Sequence, residues 1–173
     1  MTTYDKIKAF EYIHSRMIEW KGDITNNDLS ILKSLKLLYL ISNISEENHL
    51  LDIFNNFKAM PLGPVESDIY TAIKTDQLNL FKITKDKTEF KTESLDISEI
   101  DICSETKIKI DKSFNLLKES NPNLIRYSAS NLVEITHLRY SWRYFFEKAR
   151  MNRRSSISMT SDYILSEEKI LFL

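Results

Sequence analysis

Apolar residues recur every three or four positions through the N-terminal part of the chain, which is the period of an α-helix. The spacing predicts a first helix over residues 5–20, ended by Gly22. A second helix is predicted over residues 28–42, with capping oxygens supplied by residues 25–27. Because leucines and isoleucines occupy several of its faces, the second helix is predicted to be the enclosed, central helix of the fold.

The stretch FKAMPLGPVESDIY, residues 57–70, holds two of the three prolines and one of the two glycines in the chain. Proline fixes φ and lacks an N–H, whereas Gly63 can adopt a positive φ, so the Gly63-Pro64 dipeptide is predicted to be a rigid corner. Pro64 suits the first turn of a helix, which would then run past Val65 and end near Lys74. If the φ of Gly63 is positive, Gly63→Val should lower the free energy of unfolding by about 1 to 3 kcal/mol.

Apolar and polar residues alternate with a period of two from Leu78 onwards, around the polar sequence Lys85-Asp86-Lys87. This pattern predicts a small antiparallel hairpin. Since an isolated two-stranded hairpin is marginally stable in water, it should pack against the helices or gain a third strand. Residues 95–102 alternate in the same way and are the predicted source of that strand.

Helical spacing returns in the C-terminal half of the chain. Ser104 is predicted to cap a helix that reaches Leu117. The next helix is predicted over residues 131–138, with Ser128 or Ser130 as its cap. The end of the chain is predicted to form a short final helix or to dock as a loop.

The elements together predict a mainly α fold. We expect a single compact helical domain of about six to seven helices, with a small antiparallel β-hairpin or three-stranded sheet in the middle of the chain. The domain covers residues 1–173, with its core over residues 5–150 and a tail over residues 151–173 that packs on the core or is partly flexible. A composition of 42% hydrophobic and 28% charged residues agrees with a folded, helix-rich protein.

Charge and cysteine content exclude several classes of protein. The formal net charge of -1 gives no strong field that would draw the chain to a membrane or to nucleic acid. A single cysteine, Cys103, excludes an internal disulfide, and no Cys/His cluster has the spacing of zinc ligands. No apolar run approaches the roughly 18 residues of a membrane span. We therefore expect a cytoplasmic protein without metal or cofactor.

No enzyme signature stands out in the sequence. Two separated glycines cannot form a phosphate-binding loop, and the three histidines lie far apart. His137 has two interpretations: a catalytic base or ligand, or a partly buried imidazole that packs against Trp142. We favour packing, which leaves a hydrolase using His137 with Glu134 or Glu147 as the weakest hypothesis.

A basic, aromatic run occupies residues 139–154. It contains five arginines among its six basic residues, interleaved with tyrosines, phenylalanines and one tryptophan. This composition resembles a stacking surface for nucleic acid, so nucleic-acid binding is an alternative function. On a helix, however, most of the aromatics should face the core and the arginines should form a solvated face. An acidic protein partner suits such arginines as well as nucleic acid does.

Three separated segments resemble one known family: DLSILKSLKLLYLIS, FKAMPLGPVESDIY and NLVEITHLRYSW. Members of the Panacea domain family, the SocA-like antitoxins often labelled phage-associated proteins, have a Leu-Leu-Tyr type helix, an Ala-x-x-x-Gly-Pro-Val segment leading to Tyr, and a late Leu-Val-x-x-Thr-His followed by Trp. The matching positions here are Leu37, Leu38, Tyr39, Ala59, Gly63, Pro64, Val65, Tyr70, Leu132, Val133, Thr136, His137 and Trp142. The resemblance covers residues 5–149.

The resemblance implies a non-enzymatic antitoxin that binds and neutralises a cognate toxin encoded by an adjacent gene. The SocA type delivers its toxin to a cytosolic protease, so an AAA+ protease is a second expected partner. The motif residues, Leu38, Tyr39, Gly63, Pro64, Val65, Tyr70, His137 and Trp142 among them, are expected to hold the scaffold together. The predicted partner contacts are exposed side chains of the hairpin and the basic run: Phe81, Phe90, Arg139, Arg143 and Arg150. Residues 78–110 match no family motif, which leaves the identity of the toxin open.

Overall fold

The computed structural model describes residues 2–23, 25–91 and 100–173 of the chain. Within these residues the fold has seven α-helices and five short β-strands, which confirms the prediction of a mainly α fold with a small sheet. The helices are α1 (Thr3–Lys21), α2 (Ile31–Ser42), α3 (Ser67–Lys74), α4 (Ser104–Ser120), α5 (Ala129–Leu138), α6 (Tyr140–Met151) and α7 (Ser161–Ser166). The strands are β1 (Phe57–Met60), β2 (Gly63–Glu66), β3 (Phe81–Ile83), β4 (Thr88–Phe90) and β5 (Ile157–Ser158).

Helix α1 has well-defined signals at both ends. The Thr2 side chain accepts a hydrogen bond from the Asp5 N–H, and the Asp5 carboxylate accepts one from the Thr2 N–H, which together form a capping box. The helix ends at Gly22, whose φ of 80° lets its N–H reach the Ile18 carbonyl. The prediction that Gly22 ends this helix is confirmed.

Helix α2 lies at the centre of the fold, as the sequence predicted, because every residue from 33 to 42 is buried. Its cap was predicted wrongly. Ser30, and not residues 25–27, accepts a hydrogen bond from the Lys33 N–H, so the helix begins at Ile31. The cap lies where the chain enters the core, since Leu29 and Ser30 are both buried.

The corner around Gly63 is a β-hairpin, and the prediction that Pro64 begins a helix is wrong. Strands β1 and β2 pair antiparallel, with Ala59 opposite Pro64, across a turn at Pro61 and Leu62. Proline is compatible with this position because β2 lies at the edge of its sheet, where a missing N–H costs no ladder hydrogen bond. Helix α3 begins only at Ser67.

Glu66 caps helix α3 and joins it to helix α1. Its carboxylate accepts hydrogen bonds from the Ile69 N–H at 2.9 Å and from Lys6 Nζ at 2.8 Å. The two charged side chains are almost completely removed from solvent, and the Asn56 N–H also donates to the carboxylate. Several donors therefore compensate the loss of hydration of the buried carboxylate.

The three-stranded sheet has the order β2-β1-β5, and its third strand comes from the C-terminal tail. Ile157 pairs with Ala59, and the Met159 N–H donates to the Phe57 carbonyl at 2.8 Å. The third strand was predicted instead from residues 95–102. Residues 95–99 lie outside the described residues, and residues 100–102 form no strand.

The second hairpin, β3 and β4, confirms the prediction of a hairpin around residues 85–87. It is anchored to helix α1 by His14, which is completely buried. His14 Nε2 lies 2.9 Å from Thr88 Oγ1, and this hydroxyl donates its one proton to the Leu29 carbonyl at 2.7 Å. The imidazole must therefore be the donor through Nε2–H. Burial lowers the pKa of His14 to about 3, so the ring is neutral.

The C-terminal half packs around α2. Ser128 caps α5 through a capping box with Asn131, which confirms one of the two predicted caps. Helix α4 begins at Ser104 itself, because the chain is still extended at Cys103. The buried apolar residues form one continuous core. Among the described residues, no helix is both long and apolar enough to cross a membrane.

Candidate functional site

The three sequence motifs meet at one place in the fold, where α2, α5 and α6 surround the β1–β2 hairpin. We call this place the motif junction and define it by Lys36, Tyr39, Gly63, Pro64, Thr136, His137 and Trp142. The segments that contribute these residues lie far apart in the sequence. Their convergence makes the junction the first candidate for a functional site.

Lys36 joins helix α2 to strand β2. Its Nζ donates a hydrogen bond to the Pro64 carbonyl at 2.6 Å, and the whole residue is buried. Burial lowers the pKa of Lys36 to about 7, since no carboxylate among the described residues pairs with it. The amine therefore acts as a buried hydrogen-bond donor to the backbone of the hairpin.

Gly63 allows helix α5 to approach the hairpin. Its φ is 95°, so the predicted positive φ is confirmed. A Cβ at this position would lie 2.5 Å from Thr136 Oγ1 and 3.1 Å from Lys36 Cε. Glycine is thus required here both by the backbone conformation and by the close approach of its neighbours.

Trp142 lies between two other rings and is bound to the hairpin backbone. Its Nε1–H donates to the Met60 carbonyl at 2.9 Å. The indole stacks on His137, with ring centroids 3.8 Å apart and planes inclined by 9°, and on Phe146 at 5.0 Å. This arrangement satisfies the indole N–H and buries most of the ring, as a core position requires.

His137 is a packing residue in this arrangement. Burial lowers the pKa of its imidazole, and the nearby Lys36 amine lowers it further. Neither Glu134 nor Glu147, the predicted catalytic partners, hydrogen-bonds to the ring within the part of the chain that the structure describes. The contacts seen at the ring are its stacking on Trp142 and the charge of the nearby Lys36 amine.

The C-terminal tail is attached to the junction through Glu167. Its Oε1 accepts from the Tyr39 hydroxyl at 2.7 Å and its Oε2 from the Ser141 N–H at 2.8 Å. Burial and the Glu167 charge raise the pKa of Tyr39 well above its ordinary value, so the phenol remains a donor. The sequence offered no signal for Glu167, because its partners Tyr39 and Ser141 are distant in sequence.

Arg139 was predicted to be an exposed partner contact, and this prediction is wrong. The residue is 0% exposed, and its Nη1 donates to the Glu168 carbonyl at 2.9 Å and lies 3.8 Å from Glu167 Oε1. Its backbone is extended and separates α5 from α6. This break shifts the face on which Arg139 lies, so a continuous helical pattern misplaced it.

Of the two predicted partner contacts in the second hairpin, one is buried and the other is exposed. Phe81 is completely buried against His14, so the prediction that it is exposed is wrong. Phe90 lies opposite Phe81 in the ladder and is 36% exposed. Among the motif residues, Leu38 and Val65 are buried, whereas Tyr70 lies partly exposed on α3. Tyr70 is thus separate from the buried scaffold.

The solvent side of helix α6 carries a group of exposed aromatic and basic side chains that we call the tyrosine–arginine face. It consists of Tyr140, Arg143, Tyr144, Arg150 and Met151, together with Tyr163 of α7. The three tyrosines stack on one another, with Tyr144 and Tyr163 centroids 4.8 Å apart. The opposite side of α6 is buried in the core.

The two arginines of this face, Arg143 and Arg150, were predicted partner contacts and are both exposed. No described acidic side chain forms an ion pair with either of them, although Glu147 lies on the same side of the helix. The exposure of Tyr140 and Tyr144 was not predicted. A helical pattern restarted at Tyr140, after the break at Arg139, would have placed them on the solvent side.

The described residues contain no group of three or more potential metal-binding side chains. The family model of the SocA-like antitoxins, the Panacea domain, matches residues 35–143, which is more than half of the chain. The chain belongs to this antitoxin family. Neither a search of curated proteins nor a search of solved structures found a match.

Membership of the SocA-like family supports an antitoxin-like role. The matched range separates the motif junction from most of the tyrosine–arginine face. All residues of the motif junction lie within it. Glu167 and most of the tyrosine–arginine face, from Tyr144 onwards, lie beyond it. The matched range therefore contains the whole motif junction, and the unmatched C-terminal part carries much of the exposed face.

Proposed function

We propose that this SocA-like protein is a non-enzymatic antitoxin that neutralises a cognate toxin by direct protein–protein binding. The toxin would be the product of an adjacent gene. The observation that carries the proposal is the tyrosine–arginine face, an exposed surface on a chain that belongs to an antitoxin family. Neutralisation would be stoichiometric, because the antitoxin covers the active surface of the toxin.

The composition of the face supports protein binding. Tyrosine and arginine are enriched among the residues that contribute most to protein–protein affinity, since each offers a large contact area and directional hydrogen bonds. Tyr140 is 54% exposed and Tyr163 37%, so their rings are available to a partner. The exposed guanidinium groups favour an acidic patch on the toxin, because they form bidentate pairs with carboxylates.

The motif residues support the non-enzymatic part of the proposal. Lys36, His137 and Trp142 are bound to backbone carbonyls or stacked in the core. Each of these contacts stabilises the first hairpin, and this stabilising role explains why the residue type is found at its position. A hydrolase centred on His137 has no comparable support, since no carboxylate of the described residues hydrogen-bonds to its ring.

The SocA type suggests a further step, in which the antitoxin delivers its toxin to an AAA+ protease. Occlusion and delivery predict different fates of the toxin. Under occlusion the toxin accumulates in a stable complex with the antitoxin. Under delivery its half-life in cells shortens when the antitoxin is present, and only while the protease is active.

Coexpression with the product of the adjacent gene tests the proposal. The wild-type chain should restore growth and should copurify with the toxin, whereas Arg143→Glu/Arg150→Glu should do neither. Lys112→Glu/Lys118→Glu is a matched control, because it makes the same change of charge at exposed positions of α4. Failure of the wild type to bind or neutralise the adjacent product would contradict the proposal.

Nucleic-acid binding is the second candidate, favoured by exposed tyrosines beside exposed arginines on one helix. It predicts an affinity that falls steeply with salt, because phosphate contacts release counterions. A gel-shift assay at low salt distinguishes it. Absence of a shift with single- and double-stranded probes would exclude this function.

A further inference from the structure

A concave apolar surface beside the first hairpin is not explained by the scaffold. It is formed by the first turns of α2, the tip of the β1–β2 hairpin, one side of α3 and the tip of the β3–β4 hairpin. We call it the hairpin groove, and Leu32, Leu62, Val65, Tyr70, Lys74 and Lys85 are the lining residues used below. Its volume is about 530 Å³, within the range of pockets that hold small ligands or anchor side chains.

Three residues of the groove belong to the FKAMPLGPVESDIY motif and are nevertheless exposed: Pro61, Leu62 and Tyr70. Leu62 is 56% exposed at the tip of the hairpin, and Tyr70 is 36% exposed on α3. Gly63 and Pro64, which lie between them in sequence, are buried at the motif junction. The rigid hairpin therefore holds an exposed leucine next to an exposed tyrosine, at the edge of an apolar depression.

Lys74 and Lys85 give the groove a positive rim. They come from different elements, α3 and the turn of the second hairpin, and both are exposed. Among the described residues neither lysine has an ion-pair or hydrogen-bond partner, and no described acidic side chain lines the groove. An apolar floor with two free ammonium groups is complementary to an apolar segment that carries carboxylates.

We propose that the hairpin groove binds a short amphipathic segment of the toxin. Large apolar side chains of the segment insert between Leu62 and Tyr70, over Val65 and Leu32. Acidic side chains of the same segment lie against Lys74 and Lys85. The proposal rests on the proposed antitoxin function and adds a second contact, distinct from the tyrosine–arginine face. Recognition of an amphipathic segment by an apolar groove is a common mode of peptide binding.

Overlapping peptides that cover the product of the adjacent gene are the probe, with binding to the full chain measured by fluorescence anisotropy. At least one peptide with apolar and acidic residues should bind the wild type. Leu62→Asp should weaken its binding at least tenfold, which corresponds to about 1.4 kcal/mol. Lys74→Glu/Lys85→Glu should weaken it severalfold and should reverse its dependence on salt, because salt screens the new repulsion between carboxylates.

Two control variants match these changes outside the groove. Ile108→Asp places a carboxylate at an apolar α4 residue that is 57% exposed, and Lys112→Glu/Lys118→Glu repeats the charge reversal on α4. Both should bind the peptide as the wild type does. The melting temperature of each variant should remain at the wild-type value, because all altered side chains are exposed.

The outcomes separate this inference from the proposed function. If the wild type neutralises the toxin but Leu62→Asp and the lysine variant bind peptide and toxin equally well, the groove inference alone is overturned. If the wild type binds no toxin, both proposals are overturned. Binding of oleate in the groove without binding of any peptide would assign the groove to a small anionic amphiphile and would also overturn the inference.

Discussion

The two hairpins of this protein are similar in size and are stabilised in different ways. The first, β1–β2, is attached through its own backbone carbonyls, which accept hydrogen bonds from Lys36 and Trp142. The second, β3–β4, is attached mainly at Thr88. The Thr88 hydroxyl bonds to His14 and to the Leu29 carbonyl, and its backbone N–H and carbonyl both bond to the Asn27 side chain. Each hairpin would be marginal in isolation, and each depends on buried polar side chains of the helices.

The difference explains why only the first hairpin carries a motif. Attachment through backbone atoms, at a position where α5 approaches closely, requires particular residues on both sides, including Gly63 and Thr136. The second hairpin contains no glycine, and Thr88 makes most of the hydrogen bonds that attach it to α1 and to the segment before α2. The motif thus marks a part of the scaffold where backbone conformation and close packing restrict the residue types. The tips of both hairpins border an exposed apolar groove.

The largest loss of stability is expected from substitution of Gly63. Gly63→Val combines backbone strain at a positive φ with overlap between the new side chain and Thr136, so it should lower the free energy of unfolding by about 3 to 5 kcal/mol. Gly22→Val is the control, because Gly22 also has a positive φ but no atom lies within 4 Å of its Cβ position. There we expect strain alone, about 1 to 2 kcal/mol, measured by urea unfolding. Equal losses at both glycines would contradict the account of the first hairpin.

Substitution of Thr88 in the second hairpin should lower the free energy of unfolding by less than Gly63→Val does. Thr88→Val keeps the shape of the side chain but leaves His14 Nε2–H and the Leu29 carbonyl without partners, which should cost about 2 to 3 kcal/mol. Thr71→Val on the exposed side of α3 is the control and should change stability by less than about 0.5 kcal/mol. If Thr88→Val is as stable as the control, the hairpin does not depend on this anchor.

Titration distinguishes the two anchors by the pH range in which each one changes the stability of the fold. Burial lowers the pKa of His14 from 6.5 to about 3 and that of Lys36 from 10.5 to about 7. In each case the unfolded chain binds the proton more readily, so stability increases with pH between the folded and unfolded values. The window is about pH 3 to 6.5 for His14 and about pH 7 to 10.5 for Lys36.

Within each of these two pH windows, the free energy of unfolding should rise by about 1 kcal/mol per pH unit. Urea unfolding of the wild type and of two variants across pH measures it. His14→Gln should remove the pH dependence of the unfolding free energy in the acid window alone. Lys36→Met should remove it in the alkaline window alone. A difference between wild type and variant that does not change with pH in its window would show that the anchor is not buried in the form described.

Local sequence patterns predicted the elements whose type is set by neighbours in sequence. Helix α1 with its end at Gly22, the enclosed α2 and the β3–β4 hairpin follow from periodicity and capping residues. The first hairpin was misread, because Gly63-Pro64 indicates a chain reversal and not its type. The hairpin packs against Lys36 of α2 and Thr136 of α5, which no local pattern connects to it.

The candidate site was predicted only in part for the same reason. The third strand and Glu167 come from the tail and find their partners in β1 and at Tyr39, distant in sequence. Arg139 and the tyrosines of α6 were misplaced because one extended residue restarts the helical pattern. Arg143 and Arg150 were expected to be exposed and are so.

We propose that the motif residues build the scaffold and that the tyrosine–arginine face binds the toxin. The dissociation constant of the complex and the melting temperature, measured together for two variants, test it most directly. Arg143→Glu/Arg150→Glu should raise the dissociation constant by about a hundredfold or more at an unchanged melting temperature. Trp142→Phe, which loses the hydrogen bond to the Met60 carbonyl, should lower the melting temperature and leave the dissociation constant unchanged. An unchanged dissociation constant for the arginine variant, or weaker binding by folded Trp142→Phe, would contradict the claim.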